Sequence, residues 1–370
     1  MKRPSRRLVI GIIVLLAVIL GVFVFNIGLG VKRAADDLSV MTLPTMQIGN
    51  DIEVLPDPDA TAVPTAPPDV APTTAALPTA TPEPEPTTVP VPDDAVNILL
   101  MGTDARIGQD VARTDAMIVV HIDPATKRVS ILSLPRDLAM TIPRVNEQRR
   151  INTAYYLGET RLKKGLGPAL AKESVGKLLG IEIDHFALIN FDGFVELIDK
   201  LGGVTINVQK AIYDPTFPVD AYEGDIRTMK VHFKPGVQKM DGKTALIYSR
   251  TRHADSDFGR QSRQQEMLMA IFRTILDQGL YTQVTNLDDY TSTLRDHVRF
   301  DMPRDEILSL ATLAPDIQLS SIEQYTIKPA LLVEQTSPAY YLFVNDKKGF
   351  KSLINSFVNG EVAAAAKTAK

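Results

Sequence analysis

"VNILLMGTDARIGQDVARTDAMIVVHIDPATKRVSILSLPRD", residues 96–137, contains three short apolar, β-branched runs: "VNILLMG", "DAMIVVHID" and "KRVSILSLP". Each is bounded by turn residues, so the stretch reads as three successive strands. Working outward, residues 152–179 read as helical, "HFALIN" as a strand and "FDGFVELIDKLG" as a helix stopped by Gly202 and Gly203, and "GVTINV" as a strand again. Helices follow at 242–248, 259–278 and 303–313, with a late strand near 317–327. Strands interleaved with helices predict an α/β protein: a three-layer α/β/α domain with a mixed central sheet over residues 95–360, and a flexible tail at 361–370.

Upstream of that domain the composition changes twice. "MKRPSRR", residues 1–7, precedes an uncharged run over 8–31. Twenty-four residues at the helical rise reach about 36 Å, enough for a bilayer core, and the basic cluster holds the N-terminus in the cytoplasm. The expectation is one uncleaved transmembrane anchor in the cell membrane with the rest of the chain extracytoplasmic; a cleaved signal peptide is the alternative. Residues 32–94 read as an extracytoplasmic linker. Its part from 51 onward is rich in Pro and Thr, with twelve of the 25 prolines, which predicts a disordered, extended spacer reaching up to about 100 Å.

A net charge of −4 argues against nucleic acid as a partner. The absence of cysteine removes disulfides, zinc-thiolate sites and thiol nucleophiles. There is no G-x-S-x-G elbow and no H-E-x-x-H pair, and "GVQKMDGKT" has one residue too many between its glycines for a phosphate loop, so it reads as a turn feeding a helix near Gly242.

Charged residues at element ends carry the candidate chemistry. Asp104 follows the first strand and Asp115 opens the second, so antiparallel pairing would bring two carboxylates together, an arrangement that suits a divalent ion; turn formation or capping is the plainer reading. Arg136 and Asp137 end the third strand, and Arg113 lies two residues before Asp115. In "SRTRHADSDFGRQSRQQEMLMAIF", Arg260, Arg263, Gln264, Met267, Leu268, Ile271 and Phe272 follow one helix face, which puts two guanidinium groups on a buried stripe. A buried arginine needs a partner, so an anion is expected at the start of that helix, with Arg250 and Arg252 just upstream. For any one of these arginines a surface ion pair is the alternative.

"NILLMGTDAR", "ARTDAMIVVHIDPATKRVSILSLPRD", "INTAYYLGE", "INFDGFVELIDKLGGVTINV", "MDGKTALIYSRTR" and "DFGRQSRQQ" are together similar, in order, to the motif series of the LytR-CpsA-Psr family of cell-wall glycopolymer transferases. The resemblance covers about residues 96–275. It implies a phosphotransferase that moves a glycan from a polyprenyl-pyrophosphate carrier to peptidoglycan, with Mg²⁺ or Mn²⁺ on the pyrophosphate and the prenyl tail in an apolar cavity. By match, Asp104 and Asp115 take the metal positions. Arg113, Arg136, Arg250, Arg252, Arg260 and Gln264 take the pyrophosphate-facing ones. Arg263, Arg150, Asn152 and Asn190 join the substrate contacts, while Ala187, Leu268 and Phe272 line the lipid slot. Asp137 and Asp257 are candidate bases. The family reads lysine before "IN" where this chain has Arg149 and Arg150, which keeps the charge. A pyrophosphatase acting on the same lipid, or a non-catalytic wall scaffold or regulator, are the alternatives.

Overall fold

The computed structural model describes residues 39–49, 52–55, 89–104, 112–219, 227–252, 256–278, 292–313, 319–337 and 339–360. The three strands expected from the opening stretch form as β1 (Val96–Thr103), β2 (Thr114–Asp123) and β3 (Arg128–Ser133), an antiparallel meander. They make the centre of a six-stranded mixed sheet. β6 (His185–Asn190) runs parallel beside β1, β11 (Val298–Phe300) lies antiparallel outside β6, and β12 (Glu323–Thr326) runs parallel to β3 at the other edge. β4 (Ala139–Ile142) pairs with β5 (Glu147–Arg150), β7 (Val204–Val208) with β10 (Gly236–Met240), β8 (Ile212–Pro218) with β9 (Thr228–Phe233), and β13 (Leu332–Gln335) with β14 (Tyr341–Val344).

Because side chains alternate along a strand, the sheet divides its residues between two cores. Ile98, Ile118, Val120, Ile131 and Ala187 face one side, covered by helices α2 (Phe191–Lys200), α3 (Gly242–Arg250) and α4 (Asp257–Gln278). Leu99, Met101, Val119, Leu132 and Phe186 face the other, covered by α1 (Gly167–Leu179) and α6 (Lys347–Asn359); a further helix, α5 (Arg304–Leu313), buries Ile307 and Leu310 in the first core. The helices start where the sequence caps them. The Asn190 carboxamide oxygen accepts from Gly193 N at 2.8 Å, and Asp241 accepts from Thr244 N at 2.8 Å. Gly242 is required by packing, since a Cβ there would lie 2.2 Å from the Val195 carbonyl oxygen of α2.

Two expectations change. "GVQKM" is the strand β10 before the capped helix, and the turn is confined to Asp241. The segment 39–55 is not free linker where it is described. Met41 is fully buried in the first core, and Leu43, Met46, Ile48, Ile52 and Val54 pack against the second. Among the described residues no helix is long and apolar enough to cross a membrane. The anchor expected over 8–31, most of the Pro/Thr-rich linker and the tail 361–370 lie outside the described residues.

Candidate functional site

Asp115 owes its position to a β-bulge. Gly102 pairs with Ala116 and Thr103 with Thr114, so Asp115 is the extra residue, without a partner on β1, and its side chain is re-aimed at the end of the sheet where Asp104 follows Thr103. The two carboxylates interact there. Burial pushes the Asp104 carboxyl above the ordinary aspartate range, and the negative charge of Asp115 pushes it further.

Arg136 answers this charge, donating from Nη1 to Asp115 Oδ1 at 2.6 Å, and its Nε lies 3.5 Å from Asp137 and 3.6 Å from Asp257. Burial works against the Arg136 cation, but Asp115, Asp137 and Asp257 together outweigh it, so its pKa is raised. Arg260, at the start of α4, places Nη2 2.6 Å from Asp257 Oδ1. Burial presses the Arg260 pKa down, Asp257 opposes it, and neighbouring Arg136 and Arg252 add to the depression. Burial is therefore what makes the Arg260 cation costly, and its charged neighbours largely offset one another. The Nε atoms of Arg136 and Arg260 and the Ser249 hydroxyl are buried without a hydrogen-bond partner among the described residues. Such donors are costly unless an acceptor reaches them.

All three belong to one cavity of about 280 Å³ between the sheet and α2, α3 and α4. Part of its lining is apolar: Leu100, Ile118, Ala187, Ile189, Phe194 and Leu268. The same lining includes the charged and polar Asp115, Arg136, Arg250, Arg252, Arg260 and Gln264. Arg250 is held by rings on two sides, with its guanidinium carbon 4.7 Å from the Phe191 centroid and 5.3 Å from that of Phe217.

Several sequence-based assignments are displaced. Arg263 is buried as expected, but Nε donates to the Tyr248 carbonyl at 3.1 Å and Nη2 to that of Thr251, so it closes the end of α3 and does not line the cavity. Phe272 is packed in the core and does not line the cavity. Asp137 and Asp257 also stand behind the wall, gripped by guanidinium groups: Asp137 between Arg136 and Arg150 (3.4 Å), Asp257 between Arg136 and Arg260. Arg150 is turned to the Tyr340 carbonyl at 3.1 Å and lies over the Tyr341 ring. Asn152 is buried under the site, where its carbonyl accepts from Thr114 Oγ1 at 3.3 Å. Asn190 lines the cavity but spends its carboxamide oxygen on the cap of α2. Arg113 is exposed and does not line the cavity; its carbonyl accepts from Thr103 Oγ1 at 3.2 Å. Asp214 was missed: it is fully buried, lines the cavity and accepts from Thr251 Oγ1 at 2.7 Å, fixing the turn between Arg250 and Arg252. No pattern in "AIYDPTFP" announced it.

The LytR_cpsA_psr family model matches residues 71–357. The polyisoprenyl-teichoic acid–peptidoglycan teichoic acid transferase TagU of Oceanobacillus iheyensis is 33% identical over 222 residues, 59% of this chain and 62% of that protein. The match thus spans about three-fifths of that relative's length. The crystal structure of TagU from B. subtilis superposes with a TM-score of 0.51 at 26% identity, covering 71% of this chain and 95% of that one. That of TagT bound to LIIa-WTA gives 0.53 at 25%, covering 72% and 91%. With the six motifs in order and the family model spanning most of the chain, the protein belongs to the LytR_cpsA_psr family.

Proposed function

We propose that this protein is a phosphotransferase that moves a glycopolymer from a polyprenyl-pyrophosphate carrier to a sugar hydroxyl of peptidoglycan. One observation carries the reading: a single cavity is lined both by apolar side chains and by four arginines, with buried donors on Arg136, Arg260 and Ser249 that lack hydrogen-bond partners among the described residues. A molecule with a long apolar tail and a doubly charged phosphate head matches both parts. The name of the Oceanobacillus relative, a teichoic acid transferase, supports the same class.

In the reaction the peptidoglycan hydroxyl oxygen attacks the phosphorus that bears the glycan. The bond from that phosphorus to the bridging oxygen breaks, and polyprenyl phosphate leaves with the electron pair; the hydroxyl proton passes to a base or to solvent. Arg136, Arg260 and Arg250 are placed to hold the pyrophosphate oxygens as charge moves to the leaving group, and positioning with neutralisation supplies most of the acceleration. The residues fit a divalent ion. Asp104 is destabilised as an anion by burial and by Asp115, and Mg²⁺ commonly takes one or two carboxylates with phosphate oxygens and water completing its shell. Mg²⁺, or Mn²⁺, would be held by Asp104 and Asp115 and would offset charge on the phosphates.

The test is incubation of the full-length protein with a lipid-pyrophosphate-linked glycan, Mg²⁺ and peptidoglycan oligomers, followed by mass analysis. An acceptor heavier by one phosphoglycan is expected. Released free phosphoglycan would instead indicate a pyrophosphatase, and bound but unchanged lipid a scaffold or regulator.

A further inference from the structure

The cavity suits a lipid-linked donor but leaves open where an acceptor sugar rests. A row of charged contacts leads out of it. Arg136, which lines the cavity, contacts both Asp115 at 2.6 Å and Asp137 at 3.5 Å. Arg150 Nη1 follows, 3.4 Å from Asp137, and its guanidinium carbon stands 5.7 Å from the centroid of the Tyr341 ring. The side chains of Asp115 and Arg150 keep 32% and 33% of their surface exposed, so solvent reaches the row at the cavity end and at the tyrosine end. Arg150 Nε also donates to the Tyr340 carbonyl at 3.1 Å, which ties β5 to the residue before β14.

The row ends on the β13–β14 hairpin. Leu138 bridges Leu342 in parallel and Leu342 N donates to the Asp137 carbonyl at 2.9 Å, so β14 is fixed beside the arginine cluster. Alternation along the strand buries Leu342 in the second core, with Tyr340 and Val344 packed against it, and leaves Tyr341 and Phe343 on the outer face, partly exposed. Their direct partners across the ladder are Gln335 and Val333, and Val333 is 49% exposed. Two tilted rings 6.1 Å apart therefore share a solvent face with a valine and a carboxamide. The outer face of a hairpin is ordinarily polar, and a contiguous aromatic and aliphatic patch left there marks a binding surface.

Chemistry selects the occupant. In an in-line displacement the attacking oxygen stands opposite the leaving one. The leaving prenyl phosphate belongs with the apolar lining, which the first core supplies through Ile118, Ala187 and Leu268, whereas the hairpin packs on the second core and is reached from the cavity through Arg136 and Asp137. A sugar offers an apolar C–H face to an aromatic ring and hydroxyl and amide groups to a carboxamide and a guanidinium, the mixture that this surface presents. We propose that the outer face of β13–β14, with Tyr341, Phe343, Val333 and Gln335 and the adjoining guanidinium of Arg150, is the acceptor subsite, where a peptidoglycan glycan strand lies so that one sugar hydroxyl meets the phosphorus held by Arg136 and Arg260. This rests on the transferase reading and adds to it the place where the second substrate binds. Arg150, which does not line the cavity, becomes a positioning residue for that substrate.

The chain has no tryptophan, so Tyr341→Trp places a single indole in the subsite and keeps a ring there. With this full-length variant and a soluble peptidoglycan tetrasaccharide, and no lipid donor present, the emission should shift in a saturable way. Adding Phe343→Ala or Val333→Asp should weaken that binding roughly 3- to 10-fold. In turnover with a lipid-pyrophosphate-linked glycan, Tyr341→Ala and Val333→Asp should each raise KM for the tetrasaccharide by the same factor, with kcat and the donor KM within about twofold of the parent. Val333 is half-exposed, so its variant tests the surface should the Tyr341→Ala chain fail to fold. Emission that ignores the saccharide, an acceptor KM unmoved in the variants, or a fall in kcat alone would each overturn the proposal. So would a shift that follows protein concentration without saccharide, which would mean that the face pairs two copies of the chain. Saturable saccharide binding without any transfer would strike only the transferase reading.

Discussion

Arg260 concentrates the electrostatic conflict of the site, being buried, paired with Asp257, and depressed in pKa by burial and by two neighbouring arginines. If its guanidinium serves a pyrophosphate, Arg260→Ala should lower transfer by roughly 30- to 1000-fold, or about 2–4 kcal/mol of transition-state stabilisation. Folding should suffer little, because Asp257 keeps Arg136 at 3.6 Å and one cation leaves a crowded cluster. Thermal melting and turnover on the same preparation decide this: a much lower Tm with normal specific activity would make Arg260 a structural arginine. Asp104→Ala should remove the response to Mg²⁺ altogether, giving the same rate in excess chelator as in the metal. At this scale the sequence was informative in part. Burial of Arg260 and Arg263 followed from helical period, but the period says only that a side chain points inward. Whether it meets a ligand or the carbonyls of Tyr248 and Thr251 depends on where α3 ends, a tertiary fact absent from the stripe itself.

Between elements, the cavity exists because small and large side chains are distributed unevenly over the sheet face under α2 and α4. Ala187 lies on β6 in the cavity wall, where neighbouring positions carry Leu100, Ile118 and Ile189. Ala187→Trp should fill space that is open in the native fold, so its Tm should stay within a few degrees of the parent, while lipid-linked substrate should no longer bind. In a solid core the same change would overpack the site and cost about 1–3 kcal/mol, and chemical denaturation with a lipid-binding assay separates the two outcomes. The central strands were readable because β1, β2, β3 and β6 are dense in apolar and β-branched residues. β8 was not: it carries Asp214, Pro215 and Pro218 and a register shift between Asp214 and Phe217, features that argue against a strand when seen alone. That blind spot hid Phe217 and Asp214, two residues that hold the arginine loop in place.

Over the whole molecule, the sheet and its outer helices are tied by buried polar groups whose titration should be visible in stability. His121 on β2 pairs across with Asn97 on β1, its Nδ1 lies 2.8 Å from Asn97 Oδ1, and its ring packs on Phe357 of α6 at 5.7 Å. Burial, with Arg128 adding to it, lowers its pKa to about 4. Between pH 6.5 and 4 the unfolded chain therefore binds a proton that the native state refuses, and stability falls as pH falls, by about 3 kcal/mol for this group. Other shifted groups leave that window distinct. His185, raised by Asp301 and Glu306 against the opposing effect of burial, contributes stability that is complete below the ordinary histidine pKa and is lost only above it. Asp301 is lowered, through His185 and Lys172, against the same opposing burial, so its contribution is lost only below the ordinary aspartate range. Asp104 and Asp184, raised mainly by burial, act in the opposite sense to His121, as native groups that take up protons first. Because they act alike in both proteins, the comparison that isolates His121 is urea unfolding of the parent and His121→Gln across this range. The parent should lose about 3 kcal/mol more than the variant between pH 6.5 and 4. Parallel curves would mean that His121 takes its proton without cost in the native state, and the apolar packing around Phe357 and β2 would have to admit water to allow it.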